Sequence, residues 1–317
     1  MPTDHVVRAV PAMAAAIALA SVPVSATPTA NFTGPLVTPA VNTLPTGIFN
    51  IQPYLIHTRT HGVYDNARHR KDANPPSRQW QVVLPMTYGI TERLAIQLTP
   101  AAVRTSERGR HTDGLRLADT GLRLQQRLTA PAADGTGWVT AVAVARNVPT
   151  GRHHRLDTQP LNATGTGAAR SSITFGAQRL YWLDGGRALR WRGQLLWSPT
   201  PPAIRVRGTS VYGTVRGFRG HVHAGSAWQA TLAAEYALDP RWVLVGEAIG
   251  SRQGIVRVHG DDRTSVRHAP SEAFSLAPAV EYHFNTSIGL IAGVQFTLAG
   301  RNQSADVTPQ VALNMLF

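Results

Sequence analysis

The chain has 317 residues, a formal net charge of +13 and no cysteine. No disulfide can hold the fold together, so the pattern of apolar and polar residues must specify it. A basic chain can bind nucleic acid, but the export signal at its N-terminus argues against that partner and favours lipopolysaccharide phosphates as the anionic neighbour.

The N-terminus carries the pattern of a secretory signal peptide. Arg8 precedes an alanine-rich apolar run from Ala9 to Val24, and the small residues Ser25 and Ala26 follow. The run is too short and too rich in proline to be a transmembrane helix, which needs about 20 apolar residues. We therefore expect residues 1–26 to be a signal peptide, cleaved near Ala26, and no other apolar run is long enough for a helical span.

Residues 27–45 contain scattered Pro, Thr and Asn without a period, which predicts an irregular N-terminal segment. From residue 46 onward, short stretches alternate between apolar and polar residues, as β-strands with one oily face do. This alternation predicts about twelve strands. They lie near residues 47–58, 80–90, 94–98, 122–128, 138–144, 173–183, 189–197, 228–238, 242–248, 274–284, 288–298 and 307–317.

The predicted connections alternate in length along the chain. Short turns fall at 91–92, 184–186, 239–240 and 285–286, and long connections fall at 59–78, 149–168, 201–227 and 251–272. Short periplasmic turns and longer external loops are typical of outer-membrane barrels. We expect the stretch 201–227 to be irregular, and it is strongly basic.

The final stretch, from Val307 to Phe317, alternates strictly and ends on its oily face. A barrel must pair its last strand with its first, whereas the end of a soluble β-sandwich usually frays. Aromatic residues also lie near many strand ends, as in the girdles of a membrane barrel. We therefore predict an all-β fold, in which residues 46–317 form a closed, antiparallel, up-and-down transmembrane β-barrel in the outer membrane. Phe317 is the expected signal for the barrel-assembly machinery.

Five prolines conflict with a continuous hydrogen-bonded wall, because proline donates no hydrogen bond to a neighbouring strand. They are Pro53, Pro85, Pro100, Pro278 and Pro309. We expect bulges or strand ends at these positions.

Charged residues on the polar faces of the strands are candidates for lining the lumen. The basic ones are Arg123, Arg127, Arg190 and Arg192, and the others are Glu235, Glu247, Glu281 and His283. Two interpretations stay open: the charges pair and support the structure, or they form a polar filter with a basic and an acidic arc that orients an anionic solute. The apolar residues Leu196, Val243 and Val245 also point inward and could form an oily patch.

The sequence contains no convincing site for catalysis, a cofactor or a metal. The pairs His153-His154 and His221-X-His223 lack the spacing of a zinc site. Ser171 and Ser172 lie near a loop that contains His153, but nothing distinguishes them from ordinary residues. We expect a protein that is not an enzyme.

Four segments resemble the outer-membrane proteins of the MetA-pathway of phenol degradation family. They are LPMTYGITERLAIQLTP, ADTGLRLQQRL, VPTG and PAVEYHFNTSIGLIAGVQFTLAGRN. Thr120-Gly121 stands where the family often has Gly-Asp, and the resemblance covers most of residues 45–317. It implies a barrel that passes or binds small hydrophobic, often aromatic, solutes. A structural or adhesive barrel with a plugged interior and basic loops that bind lipopolysaccharide is the second hypothesis. An outer-membrane lipid hydrolase is the third.

Overall fold

The computed structural model describes residues 30–317, so the predicted signal peptide, residues 1–26, lies outside the described residues. The strands are β1 (Phe49–Ile51), β2 (Tyr54–Tyr64), β3 (Arg70–Val83), β4 (Met86–Thr91), β5 (Leu94–Thr99), β6 (Ala101–Glu107), β7 (Arg110–His111), β8 (Arg116–Leu117), β9 (Thr120–Arg127), β10 (Gly137–Val148), β11 (Ser171–Trp182), β12 (Ala188–Ser198), β13 (Ile204–Arg207), β14 (Arg219–His223), β15 (Ala227–Ala237), β16 (Trp242–Gln253), β17 (Val256–Gly260), β18 (Ser265–His268), β19 (Ser271–His283), β20 (Ile288–Arg301) and β21 (Gln303–Leu316). Short 3-10 turns occur at Pro160–Asn162 and Asp184–Gly186. Within residues 30–317, no helix is long and apolar enough to cross a bilayer.

The strands close into an antiparallel barrel with twelve wall strands, as predicted. Each wall strand pairs with its sequence neighbour, and β21 pairs with β20 on one side and with β1 and β2 on the other. The N–H of Phe49 donates to the carbonyl of Phe317 at 2.9 Å, and the N–H of Phe317 donates back at 2.8 Å. Closure leaves no unpaired sheet edge in the wall, which is what the interior of a bilayer demands.

The first three prolines interrupt wall strands, as expected. Pro53 separates β1 from β2, Pro85 separates β3 from β4, and Pro100 separates β5 from β6. The N–H of Leu84 donates to the carbonyl of Pro100 at 3.0 Å, so hydrogen bonding continues across the breaks. Each of these wall strands therefore consists of two collinear pieces.

Pro278 and Pro309 lie inside strands, contrary to the expected bulges or strand ends. Pro278 pairs with Gly246 of β16, and the ladder between β19 and β20 has a gap at Pro278. Pro309 pairs with Val294 of β20, and the ladder between β21 and β2 has a gap at Pro309. The residue pairing keeps its register across both gaps. The missing proline N–H therefore interrupts the hydrogen bonding between the strands only locally and does not shift either strand.

Two of the connections that were predicted to be long are largely strand. The β2–β3 hairpin turns only at residues 65–69, although residues 59–78 were expected to form a loop. This hairpin is polar on both faces because its outer part extends beyond the apolar band, and the alternation that marks a wall strand is lost there. Residues 251–272 likewise include the end of β16 and the hairpin β17–β18.

The stretch 201–227, expected to be irregular, contributes to a second sheet. Strands β13, β14, β17 and β18 form a four-stranded antiparallel sheet on the side of the long connections. The side chains of Ile204, Val206, Val222 and Val258 are buried on one face and pack with Ala168. Each strand has only four or five residues, so the alternation was too short to be recognised from the sequence.

The outer surface of the wall carries an apolar band between aromatic residues. On β15, Trp228, Leu232 and Tyr236 point outward, and Leu232 is 51% exposed. Trp228 and Tyr236 are eight residues apart, which is about 26 Å along a strand and about 20 Å of height at a tilt of about 40°, close to the apolar band of outer-membrane barrels, which is about 25 Å tall. Glu235 and Thr231, which alternate with these residues, are buried inside the barrel.

We predict that Leu232→Arg destabilises the barrel by about 2–4 kcal/mol, because it places a charge at the middle of the apolar band. Gln229→Arg on the same strand points into the lumen and should cost much less. Urea unfolding in lipid vesicles, followed by the gel mobility of the folded barrel, measures both. Equal losses of stability for the two variants would contradict the assignment of inward and outward faces.

Candidate functional site

The irregular segment of residues 30–46 lies inside the barrel. Asn31 Nδ2 donates to the carbonyl of Pro240 at 3.1 Å, and the N–H of Thr46 donates to Glu92 Oε1 at 3.0 Å. Pro240 and Glu92 belong to two short turns, so the segment starts and ends at the same end of the barrel. Between these points it passes through the lumen and contacts the inner faces of several wall strands.

Two inward carboxylates bind the backbone of this segment. Glu281 accepts hydrogen bonds from the N–H groups of Thr33 at 2.7 Å and Gly34 at 3.0 Å. Glu247 accepts from both the N–H and the hydroxyl of Thr38, each at 2.8 Å. Hydrogen bonds to an ionised carboxylate are about twice as strong as neutral ones. Both glutamates therefore hold the segment against β16 and β19.

Donors on other wall strands bind the carbonyl oxygens of the segment. Arg192 Nη1 donates to the carbonyl of Thr38 at 3.1 Å, and Gln125 Nε2 donates to the carbonyl of Val41 at 3.0 Å. Arg127 Nη1 donates to the side-chain oxygen of Asn42 at 2.7 Å. The wall thus offers acceptors to the N–H groups of the segment and donors to its carbonyl groups.

Apolar contacts complete this packing. Leu36 belongs to a buried cluster with Val243, Val245 and Ile291. Val243 and Val245, which were expected to contribute to an oily patch, therefore lie in an apolar cluster that Leu36 of the segment joins. Val41 packs separately against Val139 and Ala141.

The charges of Arg190, Arg192 and Glu235 meet in one cluster. Arg190 and Glu235 lie directly opposite each other on β12 and β15, and Arg190 Nε donates to Glu235 Oε2 at 2.7 Å. Arg190 Nη2 contacts the other carboxylate oxygen, and Arg192 Nη2 lies 3.4 Å from Glu235. Glu235 is fully buried and Arg192 is 3% exposed. For these residues the interpretation of structural pairing holds. The basic strands β9 and β12 and the acidic strands β15, β16 and β19 form two adjacent arcs of the wall, and Arg190 and Glu235 pair where the arcs meet.

The remaining predicted residues all face the interior but do not join this cluster. His283 Nε2 lies 3.2 Å from Glu281 Oε2, so these two form a buried pair. Arg123 and Arg127 lie on β9, and Arg123 Nη2 donates to Gln125 Oε1 at 2.6 Å. Arg123 is therefore the predicted basic residue that forms neither a hydrogen bond to the segment nor an ion pair among residues 30–317.

The segment leaves free space beside it, a cavity of about 560 Å³. The cavity lies between the segment and the inner faces of β1–β5, β9, β11, β12 and β21. Its polar lining from the wall consists of amides, hydroxyls and arginines: Asn50, Gln52, Tyr54, Thr87, Gln97, Thr99, Arg123, Gln125, Gln178, Arg190, Arg192, Gln310 and Asn314. Among the described residues that line it, none is an aspartate or a glutamate.

Sequence reasoning missed both the position of the segment and the amides of the cavity. A signal was present: residues 30–46 contain apolar residues such as Leu36 and Val41 but no charged residue. Such a stretch is unusual for a tail in water, and it precedes a barrel with three glutamates on its inner faces. The inward positions of Gln97, Gln178 and Gln310 follow from strand alternation, but their grouping depends on the barrel's register.

The histidine and serine residues that the sequence offered as weak candidates make ordinary contacts. Ser171 Oγ accepts a hydrogen bond from Arg146 Nη1 at 2.7 Å, and the ring of His153 lies 4.2 Å from that of His154. Over the described range 30–317, no three His, Asp or Glu side chains are grouped to hold a metal ion.

We predict that Glu235→Gln lowers the free energy of unfolding by about 3–5 kcal/mol, because it leaves Arg190 and Arg192 without a buried counter-charge. Glu272→Gln is the matched control. Glu272 forms ion pairs with Arg68 and Arg252, whose side chains are 67% and 64% exposed, and such pairs contribute at most about 1 kcal/mol. Urea unfolding of both variants tests this, and equal losses would show that the buried cluster is not structural.

The chain is similar to known barrel proteins. A family model described as "Putative MetA-pathway of phenol degradation" matches residues 85–308. No curated protein matches the chain.

Several solved structures of outer-membrane proteins also match. The COG4313 outer membrane channel from Pseudomonas putida F1 is 17% identical, with a TM-score of 0.64, and the match covers 87% of this chain and 98% of that one. The translocator domain of the autotransporter NalP from Neisseria meningitidis is 14% identical, with a TM-score of 0.42, over 86% of this chain and 89% of that one. The similarity to the Pseudomonas protein shows a shared barrel fold.

Proposed function

Because the chain belongs to the family described as putative MetA-pathway of phenol degradation, we propose that it is an outer-membrane channel for small hydrophobic or aromatic compounds. Aromatic acids are the solutes that we favour. The similar barrel from Pseudomonas putida F1 is described as an outer membrane channel.

The composition of the free cavity is the observation that carries this proposal. Its volume of about 560 Å³ falls within the range of pockets that hold small molecules. Apolar side chains such as Leu36, Ile56 and Val83 line it together with the amides and Arg123. The flat ring of an aromatic acid packs against these apolar side chains, and its carboxylate binds the amides and Arg123. Arginine suits this role because its planar guanidinium binds a carboxylate through two parallel hydrogen bonds.

The segment of residues 30–46 favours the second hypothesis, a structural barrel with a plugged interior. It is bound by Glu247, Glu281, Gln125 and Arg192, and it occupies much of the lumen. A channel must pass its solute beside the segment. Swelling of proteoliposomes in isotonic sodium benzoate and in isotonic glucose separates the two hypotheses. A channel of the proposed kind admits benzoate faster than glucose, and a plugged barrel admits neither.

We predict that Arg123→Gln shifts the reversal potential in a salt gradient toward cation preference. At about 4 Å in a water-filled lumen one charge contributes about 1 kcal/mol, or about fivefold in anion occupancy. Arg127→Gln is the matched control, because Arg127 lies on the same face of β9 but does not line the cavity. The proposal fails if the two substitutions change the reversal potential equally, or if neither changes it.

We also propose that the protein resides in the outer membrane after cleavage near Ala26, and that it is not an enzyme. The apolar band between Trp228 and Tyr236 supports the location. The hydrogen bond of Ser171 Oγ with Arg146 supports a structural role for that serine.

The C-terminal residue supports a role as an assembly signal. Phe317 is 66% exposed next to Phe49, where the barrel-assembly machinery can contact it.

A further inference from the structure

The external sheet β13–β14–β17–β18 has one buried apolar face and one exposed basic face. Directly paired residues of a sheet point to the same side, so the register identifies the members of the exposed face. Arg205 pairs with His221, which pairs with His259, and His223 pairs with Arg257, which pairs with Arg267. The basic face comprises Arg205, Arg207, Arg219, Arg257, Arg267, His221, His223 and His259, all of them exposed.

This basic face contains like charges placed directly opposite each other. Arg207 pairs with Arg219, and Arg257 pairs with Arg267. Like charges in directly opposed positions destabilise a sheet. Among residues 30–317, none of these four arginines has a carboxylate within ion-pair distance, although Asp261 and Asp262 lie in the turn between β17 and β18. Repulsion between these arginines therefore lowers the stability of the sheet, and a bound anion would remove that repulsion.

The arrangement fits a partner with several phosphates better than a single small anion. All five arginines are exposed, and one exposed ion pair contributes at most about 1 kcal/mol. The arginines are spread over all four strands, whose spacing is about 4.8 Å. A partner that contacts several arginines at once gains the binding free energy of several ion pairs, whereas a monovalent solute gains that of only one.

The wall strands that continue into this sheet point to a lipid as the source of the phosphates. Strands β12, β15, β16 and β19 lead directly into β13, β14, β17 and β18. Near the external end of these strands, the outer surface has an apolar groove of about 520 Å³. Ala230 and Gly250 contribute to its floor, Trp228, Phe274 and Leu298 are exposed beside it, and Arg252 is among its polar lining residues. An acyl chain of the surrounding membrane is the molecule that meets such a groove.

We propose that the basic face binds the phosphates of a lipopolysaccharide molecule, one acyl chain of which occupies this groove. The groove holds the lipid against the wall at the level where the strands leave the membrane. The basic face then neutralises the phosphates through Arg205, Arg257 and Arg267. This inference does not depend on whether the barrel conducts solutes.

The first experiment measures the Kd of the full-length barrel in detergent micelles for deep-rough lipopolysaccharide with a bisphosphorylated lipid A. Replacing Arg205, Arg257 and Arg267 together by Gln should weaken the Kd about tenfold, or about 1.4 kcal/mol. The matched control replaces Arg104, Arg108 and Arg110 by Gln. These exposed arginines lie on β6, in the turn after it and on β7, and their replacement removes the same charge. The control should change the Kd by less than about twofold.

Dephosphorylated lipopolysaccharide tests whether phosphate is the group recognised. The unmodified protein should bind it about tenfold more weakly, and the triple variant should show no further loss. If both triple variants weaken binding equally, diffuse charge attraction explains the effect and the proposed site is wrong. It is also wrong if neither variant weakens binding. The heat-dependent gel mobility of each variant shows that the barrel is folded.

The groove has its own matched pair of variants. A Cβ atom added at Gly250 or at Gly246 meets no atom within 4 Å, so both positions of β16 have room for a side chain to begin, but only Gly250 lines the groove. Gly250→Leu should weaken binding of lipopolysaccharide and leave binding of soluble polyphosphate unchanged, and Gly246→Leu should affect neither. If polyphosphate binds as tightly as lipopolysaccharide and Gly250→Leu has no effect, the basic face serves a soluble polyanion and the lipid proposal is overturned.

Discussion

The hydrogen bonds of β21 with β1 and β2 close the wall, and the other features of the molecule depend on that closure. Water cannot pair with backbone groups in the core of a bilayer, so a sheet there must have no free edge. Closure also separates two surfaces with different solvents. Leu232 and its neighbours on the outer face meet lipid, and Glu235 and Thr231 on the same strand meet the lumen. Strict alternation along each wall strand is the consequence.

The polar interior that closure creates must satisfy its own charges. Glu235 is bound by Arg190 and Arg192, while Glu247 and Glu281 bind N–H groups of residues 30–46. All three glutamates therefore have ion-pair or hydrogen-bond partners, and they lie on one side of the lumen. The free cavity adjoins this cluster, because Arg190 and Arg192 line it together with Arg123 and several amides. The basic residues lie on β9 and β12 and the glutamates on the next strands, β15, β16 and β19, so the two arcs suggested by the sequence meet where Arg190 pairs with Glu235.

The wall of the barrel could be predicted from the sequence because a bilayer imposes a period of two on every strand. The β2–β3 hairpin and the external sheet could not, since strands outside the membrane escape that rule or are too short to display it. The inward direction of Arg190 and Glu235 followed from alternation, whereas their contact followed from the register between β12 and β15. The path of residues 30–46 has no period at all. It depends on hydrogen bonds to Glu247 and Glu281, which are more than 200 positions away in the chain.

The most direct measurement is a crystal structure of the barrel with 4-bromobenzoate, in which the bromine is located by its anomalous scattering. If the cavity is the path of an aromatic acid, the bromine lies between the segment of residues 30–46 and β9. The carboxylate then lies within about 3 Å of the Arg123 guanidinium. Bromine sites found only on the outer surface, or an empty cavity at saturating ligand, would contradict the proposed path.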